Sequence, residues 1–194
     1  MALSPKKLDL KGLPATIYPF QTADEIPEKL KEVLFKTFND ELERGDTYPQ
    51  EFPASYEEFD AYWLHYFVAV MLEGNLSVEE LGKVDSFEDI FLGSYYIKPN
   101  YPGRSSHNCN AGFLVNFAKR GRSIGKTLGQ SYLEWAPKLG YTYSVFNLVY
   151  ETNVASCKIW DGLGFDRIGK VKNAGRLKGY DHPVAAILFG KDLV

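Results

Sequence analysis

The chain has 194 residues, 45% apolar and 15% aromatic, which is enough for a full core and excludes a disordered or fibrous chain. A net charge of −3 with a pI near 5.7 argues against general nucleic-acid binding, and no apolar run approaches membrane-spanning length. Two cysteines, Cys109 and Cys157, make no disulfide scaffold and point to a reducing compartment; neither forms a familiar metal-ligand spacing with His65, His107 or His182.

The N-terminal MALSPKKLDLKGLP lacks the long apolar segment of a secretory signal, and Asp9 with no arginine argues against a mitochondrial presequence. Thr16 to Phe20 predicts a short strand. A helix signal starts at Asp24, with Pro27 in its first turn and Leu30, Leu34, Phe38 and Leu42 on one face, and stops at Gly45. Ser55 and Glu58 have the spacing of a capping box ahead of Phe59, Tyr62 and Trp63. Tyr66 to Leu72 and Ile90 to Ile97 read as strands, the first buried on both faces; Glu73 to Ser86 and Asn100 to Asn108 read as loops, the former with a short helical turn as the alternative. Thr142 to Tyr150 predicts another buried strand with one amide, Asn147, inside it. Asn153 starts a short helix that ends near Gly162, and Phe165 to Val171 and Val184 to Leu188 close the chain as strands. No linker, repeat or low-complexity tract appears, so a single domain over residues 1–194 is expected, with a mixed sheet flanked by helices.

The chain is organised around residues 110–128, NAGFLVNFAKRGRSIGKTL. Phe113, Leu114 and Val115 form a strand run, Lys119 to Arg122 a basic turn, and Ile124, Leu128, Tyr132 and Leu133 the start of an amphipathic helix. A basic, glycine-containing turn before a helix start suits an anion, because first-turn N–H groups point outward and the helix dipole favours negative charge. Gly125-Lys126-Thr127 supplies the ending of a P-loop, but the required glycine five residues earlier is Arg120. The Rossmann glycine pattern is absent. Residues 115–125 instead resemble the acetyl-CoA pyrophosphate loop of the GNAT N-acetyltransferases, Gln/Arg-x-x-Gly-x-Gly/Ala. Arg120 and Gly125 match its ends, and Ser123 stands where the middle glycine is expected. Taken alone, the loop also reads as a basic, solvated helix start.

Asn153 to Phe165, NVASCKIWDGLGF, resembles the second hallmark of that fold, a helix capped by Asn and stopped by Gly-Phe before the next strand. The resemblance implies an α/β GNAT acetyltransferase fold: a mixed, mostly antiparallel sheet with a splayed central strand pair, flanked by helices. It narrows further. YIKPNY (96–101), HNCNAGFLVN (107–116), WAPKLGY (135–141), FNLVYETN (146–153) and KIWDGLGFDRIG (158–169) are similar to the fungal L-azetidine-2-carboxylate N-acetyltransferases, over most of the chain after residue 30. Those enzymes acetylate proline analogues and related metabolites.

The resemblance implies acetyl transfer from acetyl-CoA, without a metal, to the secondary amine of a small cyclic imino acid, in detoxification or stress tolerance. It implies substrate binding and catalysis by Asn110 and Asn147, with Phe113 shaping the pocket. It implies acetyl-CoA binding by Leu114, Val115, Arg120, Gly121, Arg122, Ser123, Ile124, Gly125, Lys126 and Asn153. A neutral amide suits a zwitterionic imino acid, because it accepts from the N–H and donates to the carboxylate. Many relatives carry a Tyr seven residues after the helix-start Asn, as acid for the thiolate. Here that residue is Trp160, whose indole has no useful acid function. No general base is evident; Glu151 is the nearest carboxylate in sequence and reads as a surface residue. The alternatives are an acetyltransferase for another small amine and a non-catalytic acyl-CoA-binding regulatory module. The expected partners are a small-molecule substrate and, by resemblance, a second copy of the chain, with neither nucleic acid nor membrane. The expected location is cytoplasmic, with a mitochondrial fraction.

Overall fold

A computed structural model describes residues 3–194. Its strands are β1 (Lys6–Asp9), β2 (Pro14–Phe20), β3 (Phe67–Glu73), β4 (Phe91–Pro99), β5 (Asn108–Val115), β6 (Tyr143–Tyr150), β7 (Asp166–Gly175) and β8 (Val184–Asp192). Its helices are α1 (Glu28–Arg44), α2 (Tyr56–Phe59), α3 (Val78–Leu81), α4 (Ile124–Lys138) and α5 (Val154–Gly162). The strands form one mixed sheet in the order β1-β2-β3-β4-β5-β6-β8-β7, the expected α/β architecture. β5 and β6 run parallel, whereas the β1–β2, β2–β3, β6–β8 and β7–β8 pairs are antiparallel. The chain divides into two compact units. The first takes the residues up to Phe38 with Ala54–Tyr96 and Gly112–Leu128, and the second takes Asn39–Pro53, Ile97–Ala111 and Gly129–Val194.

In the first unit, β2 pairs with β3 through Ile17↔Met71 and Tyr18↔Val70, all four fully or almost fully buried. The apolar face of α1 buries Leu30, Leu34 and Phe38, and Phe38 packs on the rings of Phe59, Tyr62 and Trp63. The Ser55–Glu58 capping box forms in full, with both reciprocal bonds. The helix it opens is shorter than its apolar spacing suggests: after Phe59 it widens into a π-helical turn over Asp60–Leu64, which aims Trp63 inward. Its indole N–H donates to Ser94 Oγ at 3.2 Å, satisfying two buried polar groups at once. β1 lies outside the sequence expectation: it is a short edge strand whose KKLD carries no alternating apolar signal. Within Glu73 to Ser86, α3 is the short helical turn of the alternative reading, under its own capping box, Ser77 with Glu80.

In the second unit, Phe146 of β6 packs on Trp160 of α5 at 4.6 Å and on Phe165 at 4.9 Å between ring centroids. Asn153 caps α5 by accepting from Ser156 N–H. The helix stops as expected at Gly164, in the left-handed region with φ +73°, while Phe165 N–H reaches back to Trp160 carbonyl. An apolar Phe165 at its head predicts that the strand that follows is buried, and the structure differs. Phe165 is buried, but β7 is a largely exposed edge strand, with Ile168 and Val171 facing solvent.

Candidate active site

In the first unit, β5 runs into the basic turn through Asn116. Its backbone N–H donates to Leu92 carbonyl, its side-chain N–H to Phe91 carbonyl, and its Oδ1 accepts from Ala118 N–H. One amide therefore ties the end of β5 to β4 and starts the 3-10 turn Phe117–Lys119. Arg120 lies over the Phe117 ring at 4.5 Å. Gly121 and Ser123 then both adopt left-handed backbone, with φ +86° and +62°. Ser123 thus holds the conformation that a glycine would take without strain, at the position where the pyrophosphate-loop pattern expects one. Its carbonyl accepts from both the N–H and the hydroxyl of Thr127, which opens α4.

The N–H groups of Ile124, Gly125 and Lys126 precede the first possible intrahelical acceptor and are left for an outside partner. Ile124 is buried and anchors the turn, whereas Gly121, Arg122, Ser123 and Lys126 are exposed. Lys119 donates to Asp89 carbonyl and lies 3.8 Å from Glu73, so it is committed to structure. Arg122 and Lys126 have neither an ion pair nor a hydrogen bond among the described residues. Outward amides and two unpaired cations at one helix start suit a diphosphate-type anion. Gly93 lets α4 sit close on the sheet, since a Cβ there would meet Leu114 carbonyl at 2.7 Å and Leu128 Cδ1 at 2.9 Å. Phe113 is half-buried and packs on Tyr95 at 5.3 Å.

In the second unit, β5 and β6 pair at Asn108↔Tyr143 and Cys109↔Ser144. At the next residue, Asn110, the side chain turns to Asn100, donating Nδ2–H to its Oδ1 at 2.9 Å. Asn147 donates to the same oxygen at 2.6 Å and accepts from Asn100 Nδ2 at 3.2 Å. The two expected asparagines are thus brought together by a third, Asn100, at the start of the predicted loop. The available signal for Asn100 was an amide directly after the strand-ending Pro99, inside the YIKPNY motif.

The expectation that Asn147 is a buried amide is corrected. It is exposed, because β6 carries a bulge between Phe146 and Val149, whose partners on β8 are Phe189 and Ile187. The extra residue breaks the alternation and turns Asn147 out of the apolar layer. Among the described residues Asn110 Oδ1 has no hydrogen-bond partner, and one N–H of Asn147 is likewise unused.

Trp160 is buried and packs, as its chemistry implied. Glu151 is exposed and bonds Lys170 at 2.7 Å; that hydrogen bond holds its carboxyl below the usual carboxylate range, the opposite of what a general base needs. Cys109 lies in a buried chain with Tyr132 and Ser144, at 3.0 and 2.6 Å, and burial pushes its thiol up to about 11. A thiol so held is protonated at neutral pH and is not a nucleophile. Asn153 spends its Oδ1 on the helix cap. His107 is exposed, beside Asn108 Nδ2.

One mixed sheet, with β5 leading through the basic turn into α4, is the frame of an acyltransferase-type α/β fold. The acetyltransferase (GNAT) family profile matches residues 34–165, and the chain belongs to that family. It is 40% identical to N-acetyltransferase aca1 of Schizosaccharomyces pombe, across 84% of this chain and 79% of that protein. It is 38% identical to Protein SPT10 of Saccharomyces cerevisiae, across 92% of this chain but 34% of that protein. Among solved structures it is similar to a GCN5-related N-acetyltransferase from Kribbella flavida, with TM-score 0.74 and 25% identity over 91% of this chain and 97% of that one. The protein is an acetyl-CoA-dependent N-acetyltransferase.

Proposed function

We propose that the acceptor is a small cyclic imino acid of the L-azetidine-2-carboxylate or proline-analogue class, bound by Asn110 and Asn147. The observation that carries this reading is the pair of unused groups on the asparagine cluster: an acceptor on Asn110 and a donor on Asn147. A neutral secondary amine has one N–H and one lone pair. Asn110 Oδ1 accepts the N–H and so fixes where the lone pair points. Asn147 N–H donates to the carboxylate of the same molecule.

Bound acetyl-CoA supplies the acetyl thioester. The outward amides of the α4 start, with Arg122, Lys126 and Arg120, hold its diphosphate, and Gly121 and Ser123 shape the turn around it. The backbone at Leu114 and Val115 holds the pantetheine arm and supplies an N–H to the thioester oxygen, with Phe113 alongside; Asn153 contributes at the start of α5. The amine nitrogen bonds to the acetyl carbon as the carbon–sulfur bond breaks. The amine proton leaves to solvent or to the departing sulfur, giving an N-acetyl imino acid and the free thiol.

No carboxylate or histidine bonds the asparagine cluster among the described residues, so orientation of the neutral amine takes the place of a dedicated base. A polyamine acceptor would want carboxylates there, which favours the imino acid. Thiol release from acetyl-CoA tests the reading across L-azetidine-2-carboxylate, proline, polyamines and primary amino acids. Selective turnover of the cyclic imino acids is expected. Preference for a polyamine or a primary amine would replace this acceptor class with another.

A further inference from the structure

We propose that Asn100 is a positioning residue for the acceptor: it fixes which end of each neighbouring amide faces the substrate. The inference rests on the reading of Asn110 and Asn147 as the groups that hold the acceptor. A side-chain amide has an accepting oxygen and a donating nitrogen on a nearly symmetric frame, so an unanchored asparagine presents either end. Asn100 removes that freedom from both neighbours. Its Oδ1 takes an N–H from Asn110 at 2.9 Å and another from Asn147 at 2.6 Å. Each neighbour must therefore turn its nitrogen inward.

The consequence differs between the two. Asn110 makes one bond to Asn100, so its Oδ1 is left outward as an acceptor. Asn147 makes two, because its own Oδ1 accepts from Asn100 Nδ2 at 3.2 Å; only an N–H remains outward. One central amide thereby presents an acceptor on one side and a donor on the other, matching an amine N–H and a carboxylate. Asn100 is itself fixed by its backbone. Pro99 restricts the preceding φ, and Asn100 N–H donates to Asn108 carbonyl at 2.8 Å, holding the end of β4 to the start of β5. None of its bonds requires contact with the reacting atoms.

Steady-state kinetics with acetyl-CoA and L-azetidine-2-carboxylate on Asn100→Ala, Asn100→Asp, Asn110→Ala and Asn100→Ala/Asn110→Ala test this, with thermal unfolding of each. Asn100→Ala is expected to lower kcat/KM for the acceptor by roughly tenfold to a hundredfold, the range for residues that orient a site's contacting groups. The KM for acetyl-CoA stays at the wild-type value. Asn100→Asp keeps an acceptor for Asn110 but loses the donor to Asn147, so it recovers kcat while the acceptor KM stays raised. The double variant falls no further than Asn110→Ala alone, because the orientation that Asn100 supplies is then worthless; a general structural role would add its own loss. If Asn110→Ala is impaired while a folded Asn100→Ala keeps wild-type kinetics, the positioning role is overturned and the acceptor reading stands. If neither variant is impaired, the acceptor reading falls and takes this inference with it. Should Asn100→Ala fail to fold, Asn100→Asp carries the test: an unchanged acceptor KM overturns it.

Discussion

Replacing Gly112 with alanine tests the packing that supports β5. A Cβ built there would lie 2.5 Å from Tyr96 Cε1, 2.8 Å from Cζ and 2.9 Å from the hydroxyl, whereas ordinary contact begins at 3.4 Å. The ring cannot simply swing away. Tyr96 is 3% exposed, its hydroxyl donates to Tyr62 at 3.2 Å, and it sits edge-on to Tyr62 and Trp63 at 5.6 and 5.0 Å. Overpacking of this kind costs about 1–3 kcal/mol, and losing the hydroxyl pair costs about 1 kcal/mol more. Lower chain entropy from alanine offsets roughly 0.5–1 kcal/mol. The net expectation is a loss of about 1–3 kcal/mol, read as a fall in Tm of roughly 3–10 °C for a chain of this size.

Urea unfolding of Gly112→Ala, Tyr96→Leu and the double variant measures it. Leucine removes the ring atoms that clash, so the double variant should lose less than the two single changes added together, by at least ~1 kcal/mol. Strict additivity, or a Gly112→Ala protein with the wild-type midpoint, would refute the reasoning.

Three further outcomes follow from single residues. Ser123→Gly should stabilise by up to about 1 kcal/mol, since it relieves a left-handed serine at φ +62° at some cost in chain entropy, and Ser123→Val should destabilise by at least that much; thermal unfolding separates them. Asn153→Ala should cost about 1 kcal/mol in urea through loss of the α5 cap, with no change in the unfolding slope. Burial lifts the Cys109 thiol to about 11 from its ordinary 9.0, so the unfolded chain releases that proton first and folding stability falls as pH rises between those values. That contribution is on the order of 3 kcal/mol and should be missing from the alkaline slope of Cys109→Ala, whatever its stability at pH 7.

Much of this is legible in the sequence alone. The α1 face of Leu30, Leu34 and Phe38, the Ser55–Glu58 cap, the turn into α4 and the stop at Gly164 all follow from local chemistry, and the structure has each in place. What was illegible depends on tertiary partners. β1 exists because β2 offers it an edge, and the bulge at Asn147 exists because β6 must meet β8 in two registers. A run such as TYSVFNLVY carries no mark of a bulge, so it reads as a uniformly buried strand. Asn100 was missed for the same reason. Its partners lie 10 and 47 residues away, and only the fold makes it the hub of the cluster. Ser123 shows the reverse case. As a letter it departs from the glycine pattern, yet its backbone takes the conformation that the pattern encodes.

The most direct measurement is thiol release from acetyl-CoA with L-azetidine-2-carboxylate, for wild type and Asn147→Ala at matched folding stability. Turnover in the wild type that falls at least tenfold in the variant, with an unchanged KM for acetyl-CoA, is the result this account expects. Equal turnover in the two proteins would contradict it, by separating acetyl transfer from the asparagine cluster.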